Sequence, residues 1–206
     1  MIGSIDRLFM NERIRKVLVK VRVPLVAALA VGALASLDAA WIWWGLGVSL
    51  FGELIQLWCF ANLDKRGTLA ARGPYALCRN PMYLGRFFIV GGALAILRCW
   101  PLLAVYAVFY WFYMVNRVRR EERILEPIFG EPYLEYCANV NRFLPGLPWQ
   151  GNPVCTWSWR LFGQNHGGWN LLGTLAFWGL ALGIASWRPV AWWWPQVENL
   201  PGWLFP

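Results

Sequence analysis

Along this chain, long apolar stretches alternate with basic segments that carry glycine and proline. Five stretches have the length and apolarity to cross a membrane, since a bilayer core of about 30 Å takes about 20 helical residues. They run from about Val21 to Leu37, Trp41 to Phe60, Tyr83 to Leu97, Pro101 to Val118 and Trp169 to Trp187. Only Arg98, Cys99 and Trp100 join the third to the fourth, which predicts a tight antiparallel hairpin. The second carries Glu53 and Gln56 on one helical face. Gly45-Leu46-Gly47 lacks the third glycine and the strand–helix context of a dinucleotide-binding turn, and reads instead as close helix packing. With no internal repeat and no linker, residues 1–206 form one domain: an all-α, polytopic membrane helix bundle of about five spans.

Composition agrees with this reading. Hydrophobic residues make up 58% of the 206, the mean hydropathy is +0.40, and only 15% are charged. Soluble domains usually hold about 25% charged residues. The net charge of +8 would suit nucleic acid only if it clustered on a soluble face. It falls instead into three stretches: Arg7 to Arg22, Lys65 to Arg79, and Arg117 to Arg160. Five alternating spans put all three on one side and leave Arg98 and Arg188 on the other. By the positive-inside rule the N-terminus and both long loops are cytoplasmic, at a bacterial inner membrane or its equivalent. Trp41, Trp43, Trp44, Trp100, Trp187 and the Trp192-Trp193-Trp194 tail mark the outer boundary, where indole rings favour the headgroup level. A cleavable signal peptide is not expected, because Met1 to Arg22 is too charged and further spans follow. Five scattered cysteines without a C-x-x-C pair, and His166 as the single histidine, give no metal site and no disulfide framework.

Two cytoplasmic segments carry chemistry. The loop entering the third span reads Gly73-Pro74-Tyr75-Ala76-Leu77-Cys78-Arg79-Asn80-Pro81-Met82-Tyr83-Leu84-Gly85. Pro81 suits the first turn of a helix, and Asn80 before it is a candidate N-cap. That accounts for two residues but not for Arg79, Tyr75 and Tyr83 beside them. The segment leaving the fourth span holds Glu121 and Glu122 among Arg119, Arg120 and Arg123. These carboxylates either pair with neighbouring arginines on a solvated helix or receive a cationic ligand; spacing alone leaves both open. Glu53 and Arg86 lie at membrane depth, where ionisable residues are functional candidates. They form either a mutual ion pair or a contact to the substrate.

The first loop is similar to the R-[HN]-P-x-Y-x-G signature of the membrane methyltransferases that include isoprenylcysteine carboxyl methyltransferase and phosphatidylethanolamine N-methyltransferase. Arg79, Asn80, Pro81, Tyr83 and Gly85 carry it, with Gly73-Pro74-Tyr75 in front. The second half of that pattern appears as Glu121, Glu122, Leu125, Phe129, Gly130, Tyr133 and Tyr136, closed by Arg142-Phe143-Leu144-Pro145. The resemblance covers roughly residues 51–148; the final span and the tail in 149–206 have no assigned counterpart. Asn80 stands where the isoprenylcysteine enzymes have histidine, so an acid–base role for that position does not carry over.

The resemblance implies transfer of a methyl group from S-adenosylmethionine to a lipid or lipid-attached acceptor, with a cofactor pocket at the cytoplasmic face. The cofactor would be bound by Gly73, Tyr75, Arg79, Asn80, Pro81, Tyr83, Gly85, Glu121 and Glu122, with Arg79 and Glu122 closest to the chemistry. Arg79 suits the cofactor's carboxylate, and a glutamate its ammonium. Tyr75 or Tyr83 suits the sulfonium through a cation–π contact. Two further readings compete: a sterol-type membrane reductase using NADPH, which would want additional basic residues, and a non-catalytic scaffold, in which the Arg79 and Glu121-Glu122 motifs would be unnecessary.

Overall fold

The computed structural model of the chain describes residues 24, 30–32, 34–64 and 68–187. Among these, every regular element is helical. Six α-helices follow in order: α1 (Ile42–Phe60), α2 (Pro81–Ala95), α3 (Trp100–Phe129), α4 (Glu131–Asn139), α5 (Trp159–Gln164) and α6 (Gly167–Trp187). Short 3-10 turns occupy Ala39–Trp41, Gly73–Ala76 and Trp149–Gly151. Most of the first apolar stretch, the N-terminal basic residues, Lys65 and Arg66, and the tryptophan tail with Arg188 lie outside the described residues.

Two segments among the described residues are long and apolar enough to cross a membrane, Ala39–Phe60 and Gly167–Ser186. They coincide with the second and fifth predicted spans. The third keeps its predicted length but starts two residues earlier, at Pro81: α2 has 15 residues, a rise of about 22 Å. The fourth is longer. Where the sequence reading ends it at Val118, α3 continues through Phe129, because Arg119 to Glu126 are all residues that helices accept readily. Pro127 falls in the last turn, and Gly130, at φ +58°, ends the helix and caps α4. The glutamate pair therefore falls within α3 and not in a loop after it.

The chain divides into two compact units, one of Met1–Gly47, Gly91–Arg117 and Phe177–Pro206, the other of Val48–Val90 and Val118–Ala176. In the first, Ile42, Ile96, Trp178 and Ala181 form a buried core. Gly45 lets α1 approach α2 closely, since a Cβ there would stand 2.6 Å from the Gly92 carbonyl. That bears out the packing read from Gly45-Leu46-Gly47, through Gly45 alone: Gly47 faces nothing within 4 Å. Asp38 caps the turn before α1 and meets Arg98, which takes φ +49° between α2 and α3.

In the second unit α1 and α2 again pack backbone to backbone. A Cβ on Gly52 would stand 2.5 Å from the Gly85 carbonyl, and one on Gly85 would stand 2.9 Å from that of Gly52. Ser49 Oγ donates to the Ile89 carbonyl across the same contact, at 2.8 Å. The other end of α1 is closed by Asn165, whose Nδ2 donates to the carbonyls of Phe60 (2.9 Å) and Leu63 (2.7 Å). Those carbonyls are among the groups a helix C-terminus leaves unpaired.

Candidate active site

All the residues that follow belong to the second unit. The loop before α2 is laced by its backbone to the segment after α4. Arg79 N donates to the Asn141 carbonyl at 2.9 Å, and Gly146 N to the Leu77 carbonyl at 2.8 Å. Cys78 Sγ donates to the Phe143 carbonyl at 3.1 Å, and Asn80 Nδ2 to that of Arg142 at 3.1 Å. Asn80 directly precedes α2, where the sequence reading made it a candidate cap, and its side-chain nitrogen bridges to the far segment.

This lacing aims Arg79 at α3. Its Nη1 lies 2.9 Å from Glu122 Oε1. Arg142 approaches the same carboxylate from the other side, with Nη2 2.8 Å from Oε2 and Nε 3.1 Å from Oε1. One turn into α2, Tyr83 donates its hydroxyl to Glu121 Oε1 at 2.8 Å. The side chains of Arg79 and Glu122 are only 13% and 15% exposed, against 39% for Arg142. The Arg79–Glu122 bond is therefore the drier of the two and the less screened by salt. Arg79 Nε is buried and has no hydrogen-bond partner.

Nearby, Tyr133 and Tyr136 of α4 and Val140 just after it make a small core with Leu125, Phe129 and Trp149. Tyr136 donates its hydroxyl to the Tyr75 carbonyl at 2.7 Å, fixing the start of the arginine loop. Burial pushes the phenols of Tyr133 and Tyr136 above the ordinary tyrosine value, and the Cys78 thiol above that of a free cysteine. All three serve as neutral hydrogen-bonding groups.

The remaining residues singled out from the sequence are placed as follows. Gly73 opens the loop in the left-handed region, at φ +62°. Pro81 is the first residue of α2. Gly85 faces α1 at the Gly52 contact. Tyr75 is buried, and its side chain pairs with Cys59 on α1, so Tyr83 is the tyrosine that touches the glutamate pair.

Glu53, 1% exposed, accepts from Asn170 Nδ2 at 2.8 and 2.9 Å and from Thr174 Oγ1 at 2.8 Å, both on α6. The Glu53–Arg86 ion pair weighed from the sequence does not form. Arg86 follows Gly85, and one residue turns a helix by about 100°, which takes its side chain off the face that meets α1. Its guanidinium lies instead 5.8 Å over the Tyr83 ring and donates to Met82 Sδ at 3.4 Å.

Sequence reasoning left Arg142 out of the site, although the Arg142-Phe143-Leu144-Pro145 closure of the motif was a signal for it. It also passed over Asn170 and Thr174. Their spacing of four, in an otherwise apolar helix, marks one polar stripe.

The family model described as phospholipid methyltransferase matches residues 25–132. A protein-S-isoprenylcysteine O-methyltransferase of Mus musculus is 40% identical over 98 residues, 47% of this chain and 33% of the relative. One of Arabidopsis thaliana is 34% identical over 96 residues, 46% of each chain. A cobalt-zinc-cadmium resistance protein of Cupriavidus metallidurans is 34% identical over 104 residues, 50% of this chain and 47% of the relative. In each case the match spans less than half of the relative's length. No solved structure matches the chain. The family model covers more than half of the sequence and takes in both the arginine loop and the glutamate pair: this chain belongs to the phospholipid methyltransferase family.

Proposed function

We propose that this protein is a multi-pass membrane methyltransferase. It moves a methyl group from S-adenosylmethionine to a lipid or lipid-attached acceptor at the cytoplasmic face. The observation that carries this reading is the cluster of Arg79, Glu122 and Arg142, with Tyr83 on Glu121 beside it. It joins the two motifs by which the sequence resembles membrane methyltransferases.

The residues suit the cofactor in charge and in bonding capacity. A buried guanidinium Nε without an acceptor is an unfavourable state, and an anionic ligand relieves it. Arg79 Nε is thus a donor in reserve for the cofactor's carboxylate. Both Glu122 oxygens accept from guanidinium groups, so Glu122 holds Arg79 and Arg142 in place. Glu121, which Tyr83 orients, is assigned to the cofactor's ammonium. Tyr83 keeps Glu121 oriented and offers an electron-rich ring, worth about 0.5–2 kcal/mol to a nearby cation. The cofactor, when bound, would supply a methyl group on a sulfonium: an aligned nucleophile would bond to the methyl carbon as the carbon–sulfur bond breaks and sulfur leaves as a neutral thioether.

The protein's contribution to rate is alignment of acceptor and methyl donor, which demands rigid supports. α3 and the laced arginine loop provide them. A carboxylate or thiolate acceptor attacks without losing a proton. Proton abstraction by Glu122 would break a bond to Arg79 or Arg142, so an acceptor that arrives as an anion suits this site. The isoprenylcysteine O-methyltransferases among the relatives are in keeping with such an acceptor.

The membrane arrangement follows the same reading. The first apolar stretch, α1, the α2–α3 hairpin and α6 make five passes, with the arginine loop and the end of α3 on the cytoplasmic side, where positive charge concentrates. The test is saturable binding of S-adenosylhomocysteine to the detergent-solubilised protein, followed by mass spectrometry of membrane lipids and lipidated peptides for gained methyl groups. Binding of NADPH in place of S-adenosylhomocysteine overturns the proposal.

A further inference from the structure

The chain leaves α1 through Ala61 and Asn62, and Asn62 is 3% exposed. Its side-chain amide is fully engaged. Nδ2 donates to the carbonyls of Trp58 and Thr156, each at 2.9 Å, and Oδ1 accepts from Thr156 Oγ1. The planar carboxamide lies against Gly73: a Cβ there would stand 2.5 Å from Asn62 Cγ and 2.7 Å from both Oδ1 and Nδ2. Gly73 N in turn donates to the Pro153 carbonyl at 2.9 Å. Ser158 N donates to the Ala61 carbonyl at 3.1 Å, and Asn165 holds Phe60 and Leu63. Residues 153–165 thus bind both the end of α1 and the first residue of the arginine loop. They lie beyond residue 132, where the family match ends.

We infer that residues 153–165 are a positioning element of the active site, with Thr156 as the positioning residue that acts through Asn62 at the end of α1. A carboxamide has two orientations of similar shape and opposite polarity. Thr156 selects one by offering a hydroxyl to the oxygen and a carbonyl to the nitrogen. The selected carboxamide forms the flat floor on which Gly73 rests at positive φ, a conformation suited to glycine. Gly73 fixes where the loop begins, and six residues later the loop delivers Arg79 to Glu122. Without the Thr156 hydroxyl, Oδ1 is a buried acceptor that has lost its donor, and only the two carbonyls on Nδ2 are left to hold the floor in one orientation. The catalytic meaning of this device rests on the function proposed above; the positioning itself does not.

Thr156→Val keeps the shape and removes the donor, and Thr156→Ser restores it. Two measurements on the detergent-solubilised full chain separate the outcomes. Hydrogen–deuterium exchange should rise in peptides covering residues 73–85 of the valine variant and return to the parent's rate in the serine variant. Affinity for S-adenosylhomocysteine should fall about fivefold to tenfold in the valine variant, the size set by one lost hydrogen bond, and recover in the serine variant. Unchanged exchange over 73–85 in Thr156→Val overturns the inference. So does a rise spread evenly over all helices, which marks a merely structural role. If the parent itself does not bind S-adenosylhomocysteine, the proposed function falls, and the exchange of residues 73–85 alone decides the positioning.

Discussion

Arg79 Nη1 lies 2.9 Å from Glu122 Oε1, a contact between residues 43 positions apart in the chain. Between the two stand a short apolar helix, a tight connection and most of α3. Charge-assisted bonds of this kind are short and strong. This one is shared, because Arg142 occupies the remaining oxygen of the same carboxylate. The contact therefore ties three parts of the chain, and the first predictions concern its members.

Glu122→Gln should lower both affinity for S-adenosylhomocysteine and stability. The amide can no longer accept ionic bonds from two guanidinium groups, each hydrogen bond to a charged group being worth about 1.5–3 kcal/mol. Glu121→Gln should lower affinity by tenfold or more with a smaller change in thermal midpoint, since Tyr83 retains an acceptor. Calorimetric binding and thermal unfolding on the same preparations separate the two glutamates. Equal effects of the two variants on both quantities would dissolve the division of labour proposed for them.

Tyr83→Phe removes the hydroxyl from Glu121 and keeps the ring. Methyl transfer should drop about tenfold, the equivalent of roughly 1.4 kcal/mol, with the helical signal unchanged. Tyr83→Leu, which also removes the aromatic face, should fall further. A phenylalanine variant with full activity would show that the Tyr83–Glu121 bond plays no part in the reaction.

Gly52→Ala should cost about 1–3 kcal/mol of stability, as overpacked positions do. Its new methyl would meet the Gly85 carbonyl at 2.5 Å and Ile89 N at 2.7 Å, backbone atoms that cannot rotate away. Gly47→Ala, with nothing within 4 Å, should be neutral or stabilising. Thermal unfolding in one detergent tests the contrast.

Glu53→Ala leaves Asn170 and Thr174 without their acceptor and should destabilise the protein by about 1–3 kcal/mol. KM for the methyl acceptor should stay within about twofold, well under the tenfold that 1.4 kcal/mol represents. A large rise in KM at unchanged stability would return Glu53 to the substrate role considered from the sequence.

Alkaline pH should weaken the fold through Tyr136 and Tyr133. Their phenols are protonated in both folded and unfolded states below the ordinary value of 10.0, and their contribution is complete there. Above it the unfolded chain loses protons first, so stability falls as pH rises toward the higher folded values. Tyr136→Phe should flatten that decline over roughly pH 9 to 11. At neutral pH it should cost about 1 kcal/mol for the bond to the Tyr75 carbonyl. Unfolding midpoints across that range provide the check.

The sequence alone determined the helical character, the places of α1 and α6, the tight turn between α2 and α3, and the two motifs. Each is local: an apolar run, a proline, a glycine or a charge pair acts within a few residues of itself. Gly45 was legible as a packing residue for the same reason, because a missing side chain in an apolar helix invites close approach. The tertiary structure decided what local pattern cannot encode, namely which side chain meets which across the bundle. It brought the Asn80 side-chain nitrogen to the Arg142 carbonyl, turned Arg86 away from Glu53, gave Glu53 to Asn170 and Thr174, and brought Arg142 to Glu122. Hydrogen bonds and ion pairs reach only about 3 Å, so their partners are set by the register and rotation of packed helices. One residue of rotation is enough to exchange one partner for another.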